Sequence, residues 1–332
     1  MDQADAQHRP QLAYAGHIRR YLIPYLGRVT LAELTSADVM RLVLALSVQR
    51  TRYGEALTPA TLHRIRATLR AALNAAIRVG LIGENAARHV ELPRPRRPHP
   101  VVWTERRVAA WRQSGERPAV AVWTTTQLAV FLRSVRTDRM YALWWLIALR
   151  GLRRGEAAGL RWIDLDLDAR LLTVERQLVQ VGKEIIIGQP KSAASQRTIA
   201  IDKATARLLR EHEQRQECDR DRCGERWHEA GYVFTWPDGL PLRPDYLTSR
   251  FAFLARKAGL PPIRLHDLRH GAASIALAAG TDLKVVQETL GHSSIVLTCD
   301  TYTSVLPEIA HGSAEATARL VLAAARKLPD DL

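Results

Sequence analysis

The sequence predicts two mainly helical domains, the second of which contains a small antiparallel β-sheet. The chain has 332 residues, which is long enough for two domains. Apolar residues recur at helical spacing through most of it, whereas β-branched residues cluster between turn signals only in residues 171–201. Hydrophobic residues make up 47% and charged residues 25%, as in globular proteins, so fibrous, collagen-like and mainly disordered classes are excluded.

Residues 1–90 form the first predicted domain, which is all-helical. Ser36 is placed to cap one helix, and Thr58 to cap another that has Pro59 in its first position. The polar face of this second helix carries four arginines, Arg64, Arg66, Arg70 and Arg78. Such a face is either solvated or follows DNA phosphates, and the sequence leaves both interpretations open.

Residues 91–122 are predicted to be an extended, basic linker. Prolines and arginines alternate at its start, and a helix does not continue through so many prolines. Arg94, Arg96 and Arg97 are candidate DNA contacts. The composition fits a segment that runs along a polyanion and fits a plain spacer equally well, so both interpretations stay open.

Residues 123–332 form the second predicted domain. Helices come first, then the small sheet over 171–201 and a highly charged helix over 203–230. The segment YVFT, residues 232–235, has the composition of a short strand. The chain ends in an amphipathic helix, residues 313–328.

The charge favours a polyanionic partner. The chain has 48 Lys and Arg against 34 Asp and Glu, a net charge of +14, which suits nucleic acid or an anionic membrane surface. The longest apolar run, Met140–Leu149, is about half as long as a spanning helix. The N-terminus also lacks an apolar signal segment, so we expect no membrane association. Three sparse cysteines, Cys218, Cys223 and Cys299, fit a reducing cytoplasm.

Conventional cofactor and metal motifs are missing from the sequence. It contains no phosphate-binding P-loop, no dinucleotide fingerprint and no G-x-S-x-G elbow. His212, Cys218, Cys223 and His228 suggest zinc, but the Cys-x4-Cys spacing is loose and the segment is predicted to be one helix. We therefore expect neither a metal nor a cofactor.

Two short segments in the second domain carry basic candidates. In GLRRGE, Gly151 ends one helix, Arg153 begins the next and Glu156 can orient it. Lys191 lies in a Pro/Ser turn between strand-like segments, from which a lysine can enter a groove. Each also has an ordinary interpretation as a surface residue in a turn.

Two later segments add imidazoles, a second guanidinium and a tyrosine. In HDLRH, His266 and Arg269 share one helix face, which is costly unless an anion lies between them. In LGHSS, Gly291 ends a helix and His292 follows it, and Tyr302 comes ten residues later. A core histidine, a helix end and a packed tyrosine are the ordinary interpretations.

In their order and distances, GLRRGE, the turn lysine, HDLRH, LGHSS and DTYTSV resemble the tyrosine recombinases, or phage-type integrases. HIRRYLIPYLGRVTLAELTSADV is similar to the opening of that family's core-binding domain, so the resemblance covers essentially the whole chain. It implies an all-α, SAM-like core-binding domain and a mainly α catalytic domain with a small antiparallel β-sheet, the DNA breaking-rejoining enzyme fold. It assigns catalytic roles to six residues, Arg153, Lys191, His266, Arg269, His292 and Tyr302.

The resemblance implies a site-specific DNA recombinase, an integrase of a phage or other mobile element. Tyr302 would form a covalent 3′-phosphotyrosine that a 5′-hydroxyl later attacks. The two arginines would clamp the phosphate oxygens, and Lys191 would donate a proton to the leaving 5′-oxygen. His266 would assist proton transfer, and His292 would bind a phosphate oxygen. This chemistry requires no metal or nucleotide.

The resemblance also implies partners. They are double-stranded DNA with core-type sites, a homotetramer on that DNA and, in some members, a directionality factor. We expect a cytoplasmic, nucleoid-associated protein, in which helix 313–328 packs on a neighbouring protomer or on its own domain. Two departures stand out. Arg150 precedes Gly151 where the family often has Thr, and core-binding-like sequence begins within about ten residues of the N-terminus, so an arm-binding domain is expected to be absent or truncated.

Two alternatives remain at this point. A type IB topoisomerase uses related chemistry to cut and reseal one strand as a monomer. A DNA-binding protein or decayed integrase would bind without cutting. Because all six catalytic positions are occupied by the residues that the family uses, recombinase chemistry is favoured over both.

Overall fold

The computed structural model describes residues 14–51, 54–95, 98–182, 184–189, 195–292, 294 and 314–319. The chain divides into two compact units, Met1–Arg97 and Pro98–Leu332. Within the described residues, no helix is both long and apolar enough to cross a membrane.

The first unit is built from helices. A π-helical turn, Ile18–Leu22, continues into α1 (Ile23–Leu26), followed by α2 (Ser36–Val48) and α3 (Pro59–Arg78). Their apolar faces form a core that includes the fully buried Leu46, Ile65 and Leu73.

The helix starts agree with the predicted capping signals except at one position. The hydroxyl of Thr58 accepts from the Thr61 N–H, and Pro59 is the first residue of α3. The cap of α2, however, is Thr35, which forms a capping box with Asp38. Ser36 is already helical and donates its hydroxyl hydrogen to the Ala86 carbonyl. Two adjacent hydroxyl residues look alike in sequence, and only the backbone conformation distinguishes the cap from the first helical residue.

Residues 98–122 differ from the predicted extended linker and belong to the second unit. Strands β1 (Val101–Val102) and β2 (Ala121–Val122) pair in parallel, with α4 (Glu105–Ser114) between them. The side chain of Trp103 is 1% exposed in the core. The prolines of this stretch lie only before and after Glu105–Ser114, so the chain between them is able to form a helix.

The helices of the second unit surround one apolar core. After α4 they are α5 (Thr125–Ser134), α6 (Tyr141–Arg150), α7 (Arg154–Ala158), α8 (Lys203–Cys223), α9 (Pro244–Lys257), α10 (Asp267–Ala278) and α11 (Leu283–Leu290). Helix α6 is apolar on every side and lies within this core. Helix α8 ends at Cys223, before the predicted end at 230, because Gly224 takes a positive φ of 53°.

The predicted sheet is two separate sheets. Strands β3 (Leu165–Asp166), β4 (Leu171–Val174) and β7 (Arg197–Ala200) form an antiparallel sheet in the order β3-β4-β7. Among the described residues, β5 (Gln177–Val181) and β6 (Glu184–Gly188) form a second, two-stranded antiparallel sheet. Strand β5 packs on α7 at Gly155, where a Cβ would lie 2.6 Å from the Leu178 carbonyl oxygen.

The segment YVFT makes isolated bridges rather than the predicted strand. Tyr232 pairs with Arg161, and Thr235 pairs with Pro241. The two partners lie in different parts of the chain, so no continuous ladder forms along the segment. Strand composition alone does not supply a partner strand.

Candidate active site

Four of the six predicted catalytic residues lie in the described part of the chain: Arg153, His266, Arg269 and His292. Lys191 and Tyr302 lie outside the described residues. Three separate segments of the second unit carry the four described side chains, and hydrogen bonds connect these segments.

Arg153 lies at the junction between α6 and α7. Gly151 ends α6 with a left-handed φ of 64°, and Arg153 is the residue that precedes α7. The backbone N–H of Arg153 donates to Glu156 Oε2 at 2.9 Å, and its Nη1 donates to Oε1 at 2.5 Å. Glu156 therefore orients Arg153, as its spacing in the sequence predicts.

Arg269 is buried in the first turn of α10. Its side chain is only 2% exposed. Nη1 donates to the Gly151 carbonyl at 2.7 Å, and Nη2 donates to the Leu290 carbonyl. His266 immediately precedes the same helix, and its ring meets the edge of the His270 ring at 5.3 Å between centroids.

His292 follows the C-terminal end of α11. Gly291 ends this helix with a φ of 65°. The backbone N–H of His292 donates to the Gln287 carbonyl at 3.1 Å, and Gln287 Nε2 donates back to the His292 carbonyl at 3.0 Å. These two bonds fix the chain directly after the helix.

Three arginines converge on three consecutive carbonyl oxygens at the end of α11. Arg197 Nε donates to Thr289 at 2.6 Å, Arg269 Nη2 donates to Leu290, and Arg153 Nη2 donates to Gly291 at 3.3 Å. The last carbonyls of a helix lack intrahelical donors and carry the negative end of its dipole. This end of α11 therefore brings the guanidinium groups together.

Arg197 is a residue of this cluster that the sequence analysis missed. It lies at the start of β7 with 6% of its side chain exposed, and it pairs with Glu156 at 3.0 Å. A signal is nevertheless present, because Arg197 and the buried Ile199 share one face of the strand. An arginine on the inward face of a strand needs a partner.

Glu156 is a buried carboxylate between two guanidinium groups. Burial raises its pKa, but Arg197 and then Arg153 counter this effect, so that the pKa lies below its usual value. Glu156 is consequently ionised at neutral pH and holds both arginines by charge-assisted hydrogen bonds.

Both described candidate histidines are neutral at neutral pH. Part of the surface of His266 is exposed, but desolvation by the surrounding protein, followed by His270 and Arg269, lowers its pKa to about 4. Burial, Arg269 and Arg153 lower the pKa of His292 to about 3. A neutral imidazole can accept a proton at one nitrogen and donate from the other.

Arg150, the departure from the family pattern, is paired with a carboxylate outside this cluster. Its Nη2 donates to Asp202 Oδ2 at 2.6 Å, and Asp202 caps α8. Arg150 therefore connects the end of α6 to the start of α8.

The predicted DNA contacts in the first unit differ in their surroundings. Arg64, Arg70 and Arg94 are exposed, whereas Arg66 is half-buried and donates to the Val90 carbonyl. Arg96 and Arg97 lie outside the described residues.

Two of the zinc candidates have different surroundings. His212 is buried, with its Nε2 hydrogen-bonded to the Val233 carbonyl at 2.8 Å, and Cys218 is exposed on α8. Among the residues that the structure describes, no group of three or more His, Cys, Asp or Glu is close enough together to hold a metal ion.

Comparison with known protein families shows to which family the chain belongs. Residues 126–308 match the family model described as the phage integrase family. The chain belongs to the phage integrase family. The match spans more than half of the 332 residues and includes the three segments that meet at α11. The predicted family, and the prediction of an enzyme of the tyrosine recombinase type, are confirmed.

Relatives of this phage integrase chain support the same assignment. It is 28% identical over 312 residues to a tyrosine recombinase XerC-like protein of Caldanaerobacter subterraneus subsp. tengcongensis, covering 89% of this chain and 74% of that protein. It is also 28% identical over 193 residues to the ICEBs1 integrase of Bacillus subtilis, covering 58% of this chain and 52% of that protein. The chain thus spans about half the length of this second relative.

A solved structure shows the fold. The Tn1549 transposon integrase, determined in complex with transposon right end DNA, superimposes with a TM-score of 0.68 at 20% identity. The match covers 95% of this chain and 96% of that one. The predicted fold class, that of tyrosine recombinase integrases, is confirmed at this level.

Proposed function

We propose that the protein is a site-specific DNA recombinase that cuts and rejoins DNA through a 3′-phosphotyrosine at Tyr302. The observation that carries the proposal is the convergence of Arg153, Arg269 and the segment of His292 on the C-terminal end of α11. This grouping of cations and neutral imidazoles suits one phosphodiester.

Arg153 and Arg269 clamp the two non-bridging oxygens of the scissile phosphate. Arg269, which is 2% exposed and donates to the Gly151 and Leu290 carbonyls in the DNA-free protein, exchanges one of these bonds for the phosphate. Negative charge builds on these oxygens in the phosphorane-like transition state, and fixed guanidinium donors stabilise it. The exposure of Arg153 supports the proposal, because its side chain is 33% exposed although it is already oriented by Glu156. A phosphate can reach such a group without rearrangement of the protein.

The nucleophile is the phenolic oxygen of Tyr302. It forms a bond to phosphorus as the bond to the 5′-oxygen breaks, and Lys191 donates the proton that makes the leaving group a 5′-hydroxyl. Attack by a 5′-hydroxyl of the partner strand reverses these steps and releases Tyr302. The bond energy of the phosphodiester is conserved, because water takes no part.

The two histidines act as neutral imidazoles. His266 accepts the proton of Tyr302, and His292 donates a hydrogen bond to a phosphate oxygen. Their lowered pKa values leave both rings unprotonated at neutral pH, which is the state that can accept a proton or donate from one nitrogen.

The substrate is double-stranded DNA that carries core-type recombination sites. The net charge of +14 and, in the first unit, the exposed Arg64, Arg70 and Arg94 support DNA binding. In this proposal the first unit, Met1–Arg97, is the core-binding domain and the second unit, Pro98–Leu332, is the catalytic domain. Four protomers act on two duplexes, for integration or excision of a mobile element, and a directionality factor can bias the outcome.

A nicked DNA substrate tests the chemistry. DNA flanking the gene is nicked near candidate inverted repeats, so that a cut strand cannot be rejoined, and is incubated with the wild type and with Tyr302→Phe. A slower, protease-sensitive band on a denaturing gel is expected from the wild type alone. Tyr246→Phe, on α9, is the matched control and should form the band.

Two results would contradict the proposal. A covalent band of equal strength from Tyr302→Phe would assign the nucleophile elsewhere. DNA binding in a native gel without any covalent band would favour a protein that binds and does not cut. A separate assay distinguishes a topoisomerase, because relaxation of a plasmid that lacks the repeats, without joining of two duplexes, is the behaviour of a type IB enzyme.

A further inference from the structure

Arg197 is held on several sides by protein oxygens. Nη1 donates to the Ser195 carbonyl at 2.9 Å and lies 3.3 Å from Glu156 Oε1. Nη2 donates to Glu156 Oε2 at 3.0 Å, and Nε donates to the Thr289 carbonyl at 2.6 Å. All three nitrogens of the guanidinium are therefore used within the protein.

These bonds connect three of the segments that carry the proposed catalytic groups or border them. Glu156 also binds Arg153. Thr289 lies three residues before His292 at the end of α11. Ser195 borders the segment that contains Lys191. The side chain of Arg197 thus contacts one residue in or next to each of these segments.

Burial separates the role of Arg197 from that of its neighbour Arg153. The side chain of Arg197 is 6% exposed, and that of Arg153 is 33% exposed. A phosphate can approach Arg153, whereas the donors of Arg197 already face carbonyl and carboxylate oxygens. Arg197 differs from the similarly buried Arg269 because its guanidinium is paired with the ionised carboxylate of Glu156, so contact with the reacting atoms is not the role that its geometry suits.

We propose that Arg197 is a positioning residue that holds Glu156, the carbonyl end of α11 and the Ser195 carbonyl in one fixed arrangement. It acts through Arg153 and His292, which meet the phosphate in the proposed function, and the inference rests on that function. Guanidinium is suited to this role because its planar fork binds both carboxylate oxygens while Nε binds a third acceptor.

Replacement of Arg197 has a defined local consequence. Without it, the buried Glu156 keeps only Arg153 as a charged partner among the described residues, and the Thr289 carbonyl loses its side-chain donor. A lysine retains the charge, but one ammonium group cannot reach the carboxylate and the carbonyl in the same geometry. Arg197→Lys should therefore recover part of what Arg197→Met loses.

The matched control is Arg176→Met. Arg176 pairs with Asp164, whose side chain is 5% exposed, in the same unit and outside the arginine cluster. Both methionine variants thus remove a guanidinium from a buried carboxylate. A general loss of stability affects both variants, whereas a loss of positioning affects only Arg197→Met.

The first measurement compares single-turnover cleavage of nicked DNA with the dissociation constant for the same DNA. We expect Arg197→Met to lower the cleavage rate about 100-fold with DNA affinity within about threefold, and Arg197→Lys to regain about tenfold. Arg176→Met should cleave within about threefold of the wild type. An unchanged cleavage rate, an equal loss in both methionine variants, or no recovery by lysine would overturn the proposal.

The second measurement is hydrogen exchange of the backbone amides of residues 288–292 in the DNA-free protein. Arg197→Met should accelerate it at least about tenfold, and Arg176→Met should not. This result does not depend on cleavage. If the wild type forms no covalent complex, the proposed function fails, and exchange alone decides whether Arg197 holds this segment. Unchanged exchange in Arg197→Met overturns the inference, whatever the DNA assays show.

Discussion

Nη1 of Arg269 lies 2.7 Å from the carbonyl oxygen of Gly151, a residue 118 positions earlier in the chain. The same guanidinium donates from Nη2 to Leu290. Arg269 therefore holds the α6–α7 junction against the end of α11. Arg153 lies in this junction, and His292 directly follows the end of α11. Replacement of Arg269 would remove both its bonds to these carbonyls and its proposed contact with phosphate. Variants of neighbouring residues are therefore needed to separate the structural contribution from the catalytic one.

Gly151→Ala should destabilise the protein and reduce cleavage. Gly151 has a φ of 64°, and a Cβ there would lie 2.6 Å from Leu290 Cδ2 and 3.4 Å from Arg269 Cγ. The backbone strain costs about 1–3 kcal/mol, and displacement of Leu290 adds to it. Chemical denaturation measures the free energy of unfolding, and the nicked-DNA assay measures cleavage.

Gly115→Ala is the control for this prediction. Gly115 also ends a helix with a left-handed φ, of 72°, but has no atom within 4 Å of its ideal Cβ among the described residues. Gly115→Ala should have the same backbone strain without a clash like that with Leu290, and it should retain wild-type cleavage. Equal stability losses in the two variants would show that the contact with Leu290 contributes nothing.

Trp103→Ala should destabilise the second unit by about 3–5 kcal/mol, the cost of removing a large buried aromatic side chain. Trp103 is 1% exposed, and its Nε1 donates to the Pro262 carbonyl at 3.2 Å. Thermal unfolding measures the loss. Trp111→Ala, at a half-buried neighbour of Trp103, should cost less. A wild-type melting temperature for Trp103→Ala would support the extended linker predicted over 91–122.

Acidification should destabilise the protein through His212. Burial lowers the pKa of His212 to about 4 from an ordinary value of 6.5, although the bond to Val233 partly opposes the shift. Because the folded-state pKa is the lower one, this stability is present above pH 6.5 and is lost as the pH falls toward 4. The shift corresponds to about 3 kcal/mol at most.

His212→Gln tests this linkage, since glutamine retains a donor for Val233 without titrating. The free energy of unfolding measured from pH 7 to pH 4 should fall less steeply in the variant than in the wild type. Identical slopes would assign the acid sensitivity to other groups.

The two site histidines should titrate far below the usual range in the DNA-free protein. The predicted pKa is about 4 for His266 and about 3 for His292, as judged by NMR of labelled histidine rings. Arg153→Met should raise the pKa of His292, because it removes one of the charges that lower it. A titration near 6.5 at either ring would mean that the ring is solvated and that neither burial nor the neighbouring guanidinium groups act on it as described.

The sequence by itself determined the family and most of the local structure that carries the site. The pairing of Arg153 with Glu156, the left-handed helix ends at Gly151 and Gly291 and the helix starts at α3 and α7 all depend on residues within a few positions of each other. Such features follow from backbone preferences and side-chain reach. Spacing alone predicts them, since the groups meet in any fold that forms the helix.

Tertiary structure decided what the separate segments do together. The role of Arg197 depends on Glu156, 41 residues earlier, and on Thr289, 92 residues later. The place of residues 98–122 depends on contacts such as that of Trp103 with Pro262, 159 residues away. Distant groups meet only where burial of the whole core compensates the entropy of closing long loops, and no local pattern in the sequence encodes which oxygens will then face a guanidinium.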